Sequence, residues 1–179
     1  MTNTLQIKLL SDNATMPKRE HDTDAGFDIY AAETVVLEPQ EKALIATDIA
    51  VNIPKGYVGL LTSRSGVSSK THLVIETGKI DAGYQGHMQI NIKNDYINLK
   101  EYDEAKIDTN YGDVMYPIYN VDGQANYDKI YDNPVYKINK GDRLAQLVIV
   151  PIITPELEQV EEFDSESARG EKGFGSSGI

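Results

Sequence analysis

Cysteine is absent from the 179 residues, which removes disulfides, thiolate metal ligands and cysteine nucleophiles together and fits a reducing compartment. Histidine is scarce, and His21, His72 and His87 show no paired spacing of the kind metal ligands need. Positive charge is also in short supply. Seventeen Lys and Arg face twenty-eight Asp and Glu, a formal charge of −11, so a nucleic-acid duplex or an anionic membrane is repelled over most of the surface. Neither direct nucleic-acid binding nor membrane association is expected, and any phosphate must meet a local cluster of cations. Long hydrophobic runs are missing too. The most apolar stretch, Leu144 to Ile153, is half the length of a membrane span and is interrupted by Gln146 and Pro151, so it reads as a buried strand. The N-terminus MTNTLQIKLLSDNA has no basic region followed by an apolar one, which predicts no signal peptide and a cytoplasmic location. Asn13-Ala-Thr15 then matches a glycosylation acceptor only by chance.

The chain has the length and composition of one ordinary domain, 40% hydrophobic and 25% charged. Helical periodicity is hard to find. Short aliphatic and β-branched runs recur instead, at Leu5 to Leu10, Thr34 to Leu37, Ala43 to Ile53, Tyr57 to Thr62, Ile90 to Lys93, Val135 to Ile138 and Leu144 to Ile153. Gly and Pro punctuate them, a spacing that predicts an all-β sandwich or barrel. Gly66 to Thr71 and Glu101 to Lys106 are the segments that read as short helical turns. From Asp95 to Pro134, nine acids face three bases and seven of the eleven tyrosines gather, too aromatic a composition for a plain linker. This stretch is expected to be an ordered insertion. The tail from Asp164, small and polar with four glycines, reads as a flexible arm.

Several segments carry candidate chemistry, each beside a plainer reading. Gly173 to Gly178 spells GxGxxG, but only one residue follows where a dinucleotide site needs a helix. It is a solvated linker or an arm that grips phosphate, with Arg169 and Lys172 beside it and Phe174 tipping the balance toward the arm. Arg64-Ser65-Gly66 to Lys70 offers a guanidinium, hydroxyls and amides to an anion; the alternative is a serine-rich turn with a helix cap. Counting from Asp22, Phe27 occupies the obligatory glycine position of a calcium loop, so Asp24 to Asp28 is no EF-hand. Asp81 lies in a tight turn, where its carboxylate makes an Asx-turn or activates water, and in isolation the turn is favoured.

Together, DAGFDIYA at 24–31, SRSGVSSK at 63–70, GKIDAGYQG at 78–86, GDRLAQL at 141–147 and RGEKGFGSSG at 169–178 resemble the five ordered motifs of the trimeric dUTPase family (deoxyuridine triphosphate nucleotidohydrolases). The resemblance implies a jelly-roll-like β domain over 1–163, interrupted by the insertion at 95–134, with residues 164–179 as an arm that closes the active site. It implies a homotrimer with sites built from different subunits, Mg²⁺ as cofactor, and hydrolysis of dUTP to dUMP and pyrophosphate. Asp81 is similar to the base that activates water, and Tyr84 to the aromatic that excludes a ribose hydroxyl. The hairpin Tyr84 to Ile90 would hold uracil through its backbone, Met88 and Ile90 included. Arg64, Ser65, Gly66 and Gln146 resemble the triphosphate contacts. Asp28 resembles the first-motif aspartate, which reaches the hydrated Mg²⁺ through water and ligates no metal directly. Arg169, Gly175, Ser176 and Ser177 would grip the β- and γ-phosphates while Phe174 stacks on uracil. Hydrolysis of the phosphoanhydride needs in-line water, cations and a base, and all are available in this set.

Ser63 stands where the family often has Gly or Pro, Gly83 where an acid is frequent, and the insertion is far longer than usual; it is similar to those of staphylococcal-phage dUTPases. Two rivals stay open. A dCTP deaminase resembles this fold, although no glutamate beside the third motif suits proton shuttling. A regulatory protein would keep the pocket as a sensor and offer the acidic, Tyr-rich surface to a basic partner such as a DNA-binding repressor.

Overall fold

Alternating apolar residues drive this chain into strands. A computed structural model describes residues 4–97, 107–108, 114–165, 167 and 170, and of 107, 108, 114 and 128 only the backbone. The described strands are β1 (Gln6–Leu9), β2 (Gly26–Tyr30), β3 (Val35–Leu37), β4 (Lys42–Asn52), β5 (Tyr57–Ser63), β6 (Leu73–Ile75), β7 (Gly78–Ile80), β8 (Met88–Asn94), β9 (Ile107–Asp108), β10 (Val114–Asn120), β11 (Ala125–Tyr131), β12 (Val135–Ile138) and β13 (Arg143–Pro151). One short helix, α1 (Ser65–Lys70), follows β5. The all-β expectation is met, and among the described residues no helix is long and apolar enough to cross a membrane.

Three sheets run in the orders β1-β4-β8-β6, β2-β13-β5-β7 and β11-β10-β12-β3. β13 is paired along both edges, by β2 and β5, and buries Leu144, Ala145 and Leu147 completely. Ile29, Leu37, Ile45, Ile49, Ile90, Ile92, Ile138, Leu144 and Leu147 bury essentially all of their side chains between the layers, and this burial is the main favourable term holding the sheets together.

Short or interrupted strands escaped the sequence pattern. β2 begins on glycine and carries Asp28, and β6 and β7 span three residues each. β10 contains Pro117, normally a sign against a strand; its ladder with β11 shifts register between Pro117 and Ile118, where the missing N–H is accommodated. The helical turn expected at Glu101 to Lys106 lies outside the described residues.

The described part of 95–134 is joined to the core. β10 pairs with β12 in parallel and with β11 in antiparallel. Tyr116 and Ile118 are buried, and the rings of Tyr119 and Tyr136 are 5.6 Å apart. At the turn between β10 and β11, Gly123 has a φ of 81°, and a Cβ there would lie 2.2 Å from the Lys70 carbonyl oxygen. Gly123→Ala should therefore destabilise the fold by about 2–4 kcal/mol, adding a left-handed alanine to an overpacked contact. Urea unfolding checks this, and unchanged stability would show that the turn is not seated on α1.

Candidate active site

The strand β2 places Asp28 directly opposite Gln146 of β13, which in turn faces Thr62 of β5. This row crosses the sheet beneath the start of α1. Gly26 makes room for it, since a Cβ there would lie 3.0 Å from that of Gln146. Asp28 is buried, a costly place for a carboxylate without partners. Arg64 Nε donates to Asp28 Oδ1 at 2.8 Å, and Arg143 Nη1 lies 3.3 Å from Oδ2 and the same distance from Glu20. Asp28 thus holds two guanidiniums in place. Its two carboxylate oxygens face one guanidinium each.

Arg64 caps α1 with its backbone, and no side chain caps the helix, so the helix-cap alternative is set aside. Val67 and Ser68 N–H donate to the Arg64 carbonyl, whereas the Ser65 and Gly66 amides have no carbonyl a turn earlier within the helix. Nothing lies within 4 Å of a Cβ built on Gly66. The space above it is a cleft of about 550 Å³ whose lining includes Lys18, Glu20, Arg64, Gly66, Lys70, Asp122, Asp142 and Arg143. Four cations converge there, in a chain that is strongly acidic as a whole.

The second group of candidate residues lies elsewhere. β7 pairs with β5 so that Ile80 faces Gly59. Asp81 then falls beside Val58, six residues of extended strand from Arg64, or about 20 Å. Asp81 is exposed, its carbonyl accepts the Tyr84 N–H at 3.1 Å, and its carboxylate has no hydrogen-bond partner among the described residues. The turn is closed by backbone, not by an Asx bond. Tyr84 is half exposed, and its hydroxyl donates to the His87 carbonyl at 3.0 Å. Residues 84–90 are not a hairpin of two paired strands, a correction to the expectation: β7 belongs to one sheet and β8 to another, so the loop crosses between layers. The Met88 and Ile90 side chains are buried, leaving only their main chain for a ligand. Arg169, Phe174, Gly175, Ser176 and Ser177 lie outside the described residues.

A family model for dUTPases matches residues 12–104 and 131–178. The chain belongs to the dUTPase family. The residues between the two matched stretches, 105–130, fall within the insertion. A deoxyuridine 5′-triphosphate nucleotidohydrolase of Mycobacterium marinum is 37% identical over 99% of this chain and 97% of its own. The dUTPase of Staphylococcus bacteriophage 80alpha, solved with dUPNHPP, is 64% identical, with a TM-score of 0.87 over 99% of this chain and 100% of that one. It is among the phage dUTPases described as controlling transfer of virulence genes by a proto-oncogenic G protein-like mechanism. The dUTPase of phage phi11 of S. aureus, whose structure visualises a species-specific insert, is 62% identical, with a TM-score of 0.79 over 92% of this chain and 100% of that one. Its D95N mutant shows the coordination of a structural Mg(II) ion.

The structure adds members to this dUTPase's cleft that the sequence reading passed over. Arg143 stands inside GDRLAQL, where the resemblance points to Gln146 alone, and Lys70 ends the segment in which it points to Arg64, Ser65 and Gly66. Lys18 and Glu20 carry no motif; a bridge between Lys18 and Asp28 brings them in. Asp122 comes from the turn of the insertion, so that segment borders the cleft.

Proposed function

We propose that the chain hydrolyses dUTP to dUMP and pyrophosphate in a homotrimer whose active site takes Arg64, Ser65, Gly66 and Gln146 from one subunit and Asp81 and Tyr84 from another. The observation that carries this reading is the spacing along β5: the Asp81 carboxylate and the cleft that holds Arg64, which belong to one reaction, stand about 20 Å apart in one chain, so a second chain must supply one of them.

In this assembly the triphosphate lies in the cleft. The Arg64 guanidinium and the first amides of α1 meet phosphate oxygens, and they absorb charge as the α–β bond lengthens. Asp81 accepts a proton from the water that attacks the α-phosphate, and pyrophosphate leaves in line. Asp28 and Arg143 hold Arg64 in register. Tyr84 walls off the 2′ position of the sugar, and the main chain from 84 to 90 presents donors and acceptors to uracil. A Mg²⁺ carried by the substrate's own phosphates would neutralise their charge. Arg169, Gly175, Ser176 and Ser177 of the arm, 164–179, close over the phosphates and Phe174 stacks on the base. Residues 1–163 are the β domain. Nucleotide substrates of this kind place the enzyme in the cytoplasm, that of the host if a phage encodes it.

The insertion, 95–134, is proposed as a surface for a basic, repressor-like protein partner, on the strength of its nine acids and seven tyrosines. It leaves the hydrolytic reading intact. Incubation with each dNTP and Mg²⁺, with pyrophosphate release as the readout, tests the function. Strong selectivity for dUTP is expected. Deamination of dCTP without pyrophosphate would establish the deaminase instead.

A further inference from the structure

Thr47 and Asp48 fall where the β4–β8 ladder loses register, between Ala46 and Ile49. Asp48 has a φ of 51°, a left-handed conformation that Asp tolerates better than most residues. The Leu10 N–H donates to the Asp48 carbonyl at 2.8 Å, and Ser11 Oγ to its carboxylate at 2.5 Å, so the end of β1 pins this bulge from outside. On its inner side the bulge grips the loop that follows Asp81. The Asp48 N–H donates to His87 Nε2 at 3.0 Å, with Asp48 Oδ1 3.4 Å from the same nitrogen. The buried Thr47 hydroxyl donates to the Met88 carbonyl. Gln85 Nε2 adds a bond to Asn52, at the end of β4, at 3.1 Å.

Tyr84 is tied into the same lacing. Its hydroxyl bonds the His87 carbonyl, and its ring covers Gly86, where a Cβ would lie 2.6 Å from the phenol oxygen. The ring's place is therefore fixed by where His87 sits, and His87 is fixed by the Asp48 N–H. We propose that the Thr47–Asp48 bulge, acting through the His87 imidazole, positions Tyr84 and so sets the preference for a 2′-deoxyribose over a ribose nucleotide. The inference rests on the reading of Tyr84 as the sugar wall. A wall rejects one added hydroxyl only if it cannot recede, because hydrophobic contact alone discriminates weakly between such neighbours. An imidazole accepting at Nε2 carries its proton on Nδ1, and a glutamine can offer an amide oxygen at the same reach.

His87→Phe keeps a planar ring and removes the acceptor, and His87→Gln restores an acceptor without the ring. The measurement is kcat/KM for dUTP and for UTP, with melting temperature, on the wild type and both variants. In His87→Phe the dUTP/UTP ratio should fall about tenfold, the size of one lost hydrogen bond, through faster UTP turnover and a higher KM for dUTP at nearly unchanged kcat. His87→Gln should return to the wild-type ratio. His87→Ala makes the same comparison if the phenyl ring prevents folding. An unchanged ratio in His87→Phe, or a loss as large in His87→Gln, would overturn the positioning role. A wild type that turns over UTP as fast as dUTP would instead contradict Tyr84 as the sugar wall, before any variant is compared.

Discussion

Asp81→Asn should bind dUTP and fold normally while losing about 10²–10⁴-fold in kcat, because an amide cannot take the proton of the attacking water. The fold is expected to be indifferent for a concrete reason. The Asp81 turn is closed by the Tyr84 N–H on the Asp81 carbonyl, and the carboxylate makes no hydrogen bond among the described residues, so an amide of the same size disturbs nothing. Single-turnover kinetics at saturating dUTP separate binding from chemistry. Near-normal turnover would remove Asp81 as the base.

Arg64→Gln should cost about 10²–10³ in kcat/KM, the scale of one preorganised charge-stabilising donor, and should also destabilise the fold. Asp28 is buried and relies on Arg64 at 2.8 Å and Arg143 at 3.3 Å. Taking away the nearer charge leaves the carboxylate with the longer contact and a neutral donor, a loss of about 1–3 kcal/mol. Urea unfolding at neutral pH checks the loss, and unchanged stability would show that Arg143 alone suffices to hold the buried Asp28 carboxylate.

The sequence made β13 legible because its aliphatic residues crowd into one short run, and β4 and β5 legible by their length. It hid β10 behind Pro117 and β7 behind its three residues. The motifs named Asp28, Arg64, Asp81 and Tyr84, since each sits in a short distinctive string. Arrangement was less legible. Arg143 and Lys18 reach the cleft through register between β2 and its neighbours, which is set by pairings more than a hundred residues apart for Arg143. The bulge at Asp48 shows itself in the structure, by a positive φ and a break in the β4–β8 register, and no local string marks it. The distance between Asp81 and Arg64 likewise follows from the β5–β7 register, not from the sixteen positions between them in the chain.

Subunit sharing of the site can be measured by mixing the two crippled chains. In a threefold assembly of Asp81→Asn and Arg64→Gln subunits, every mixed trimer contains one junction where an intact Arg64 meets an intact Asp81. Coexpression at equal levels should therefore restore dUTP hydrolysis to about a quarter of the wild-type rate, since about three trimers in four are mixed and each keeps one site of its three. Coassembled trimers no more active than the two parents would contradict a site made from different subunits.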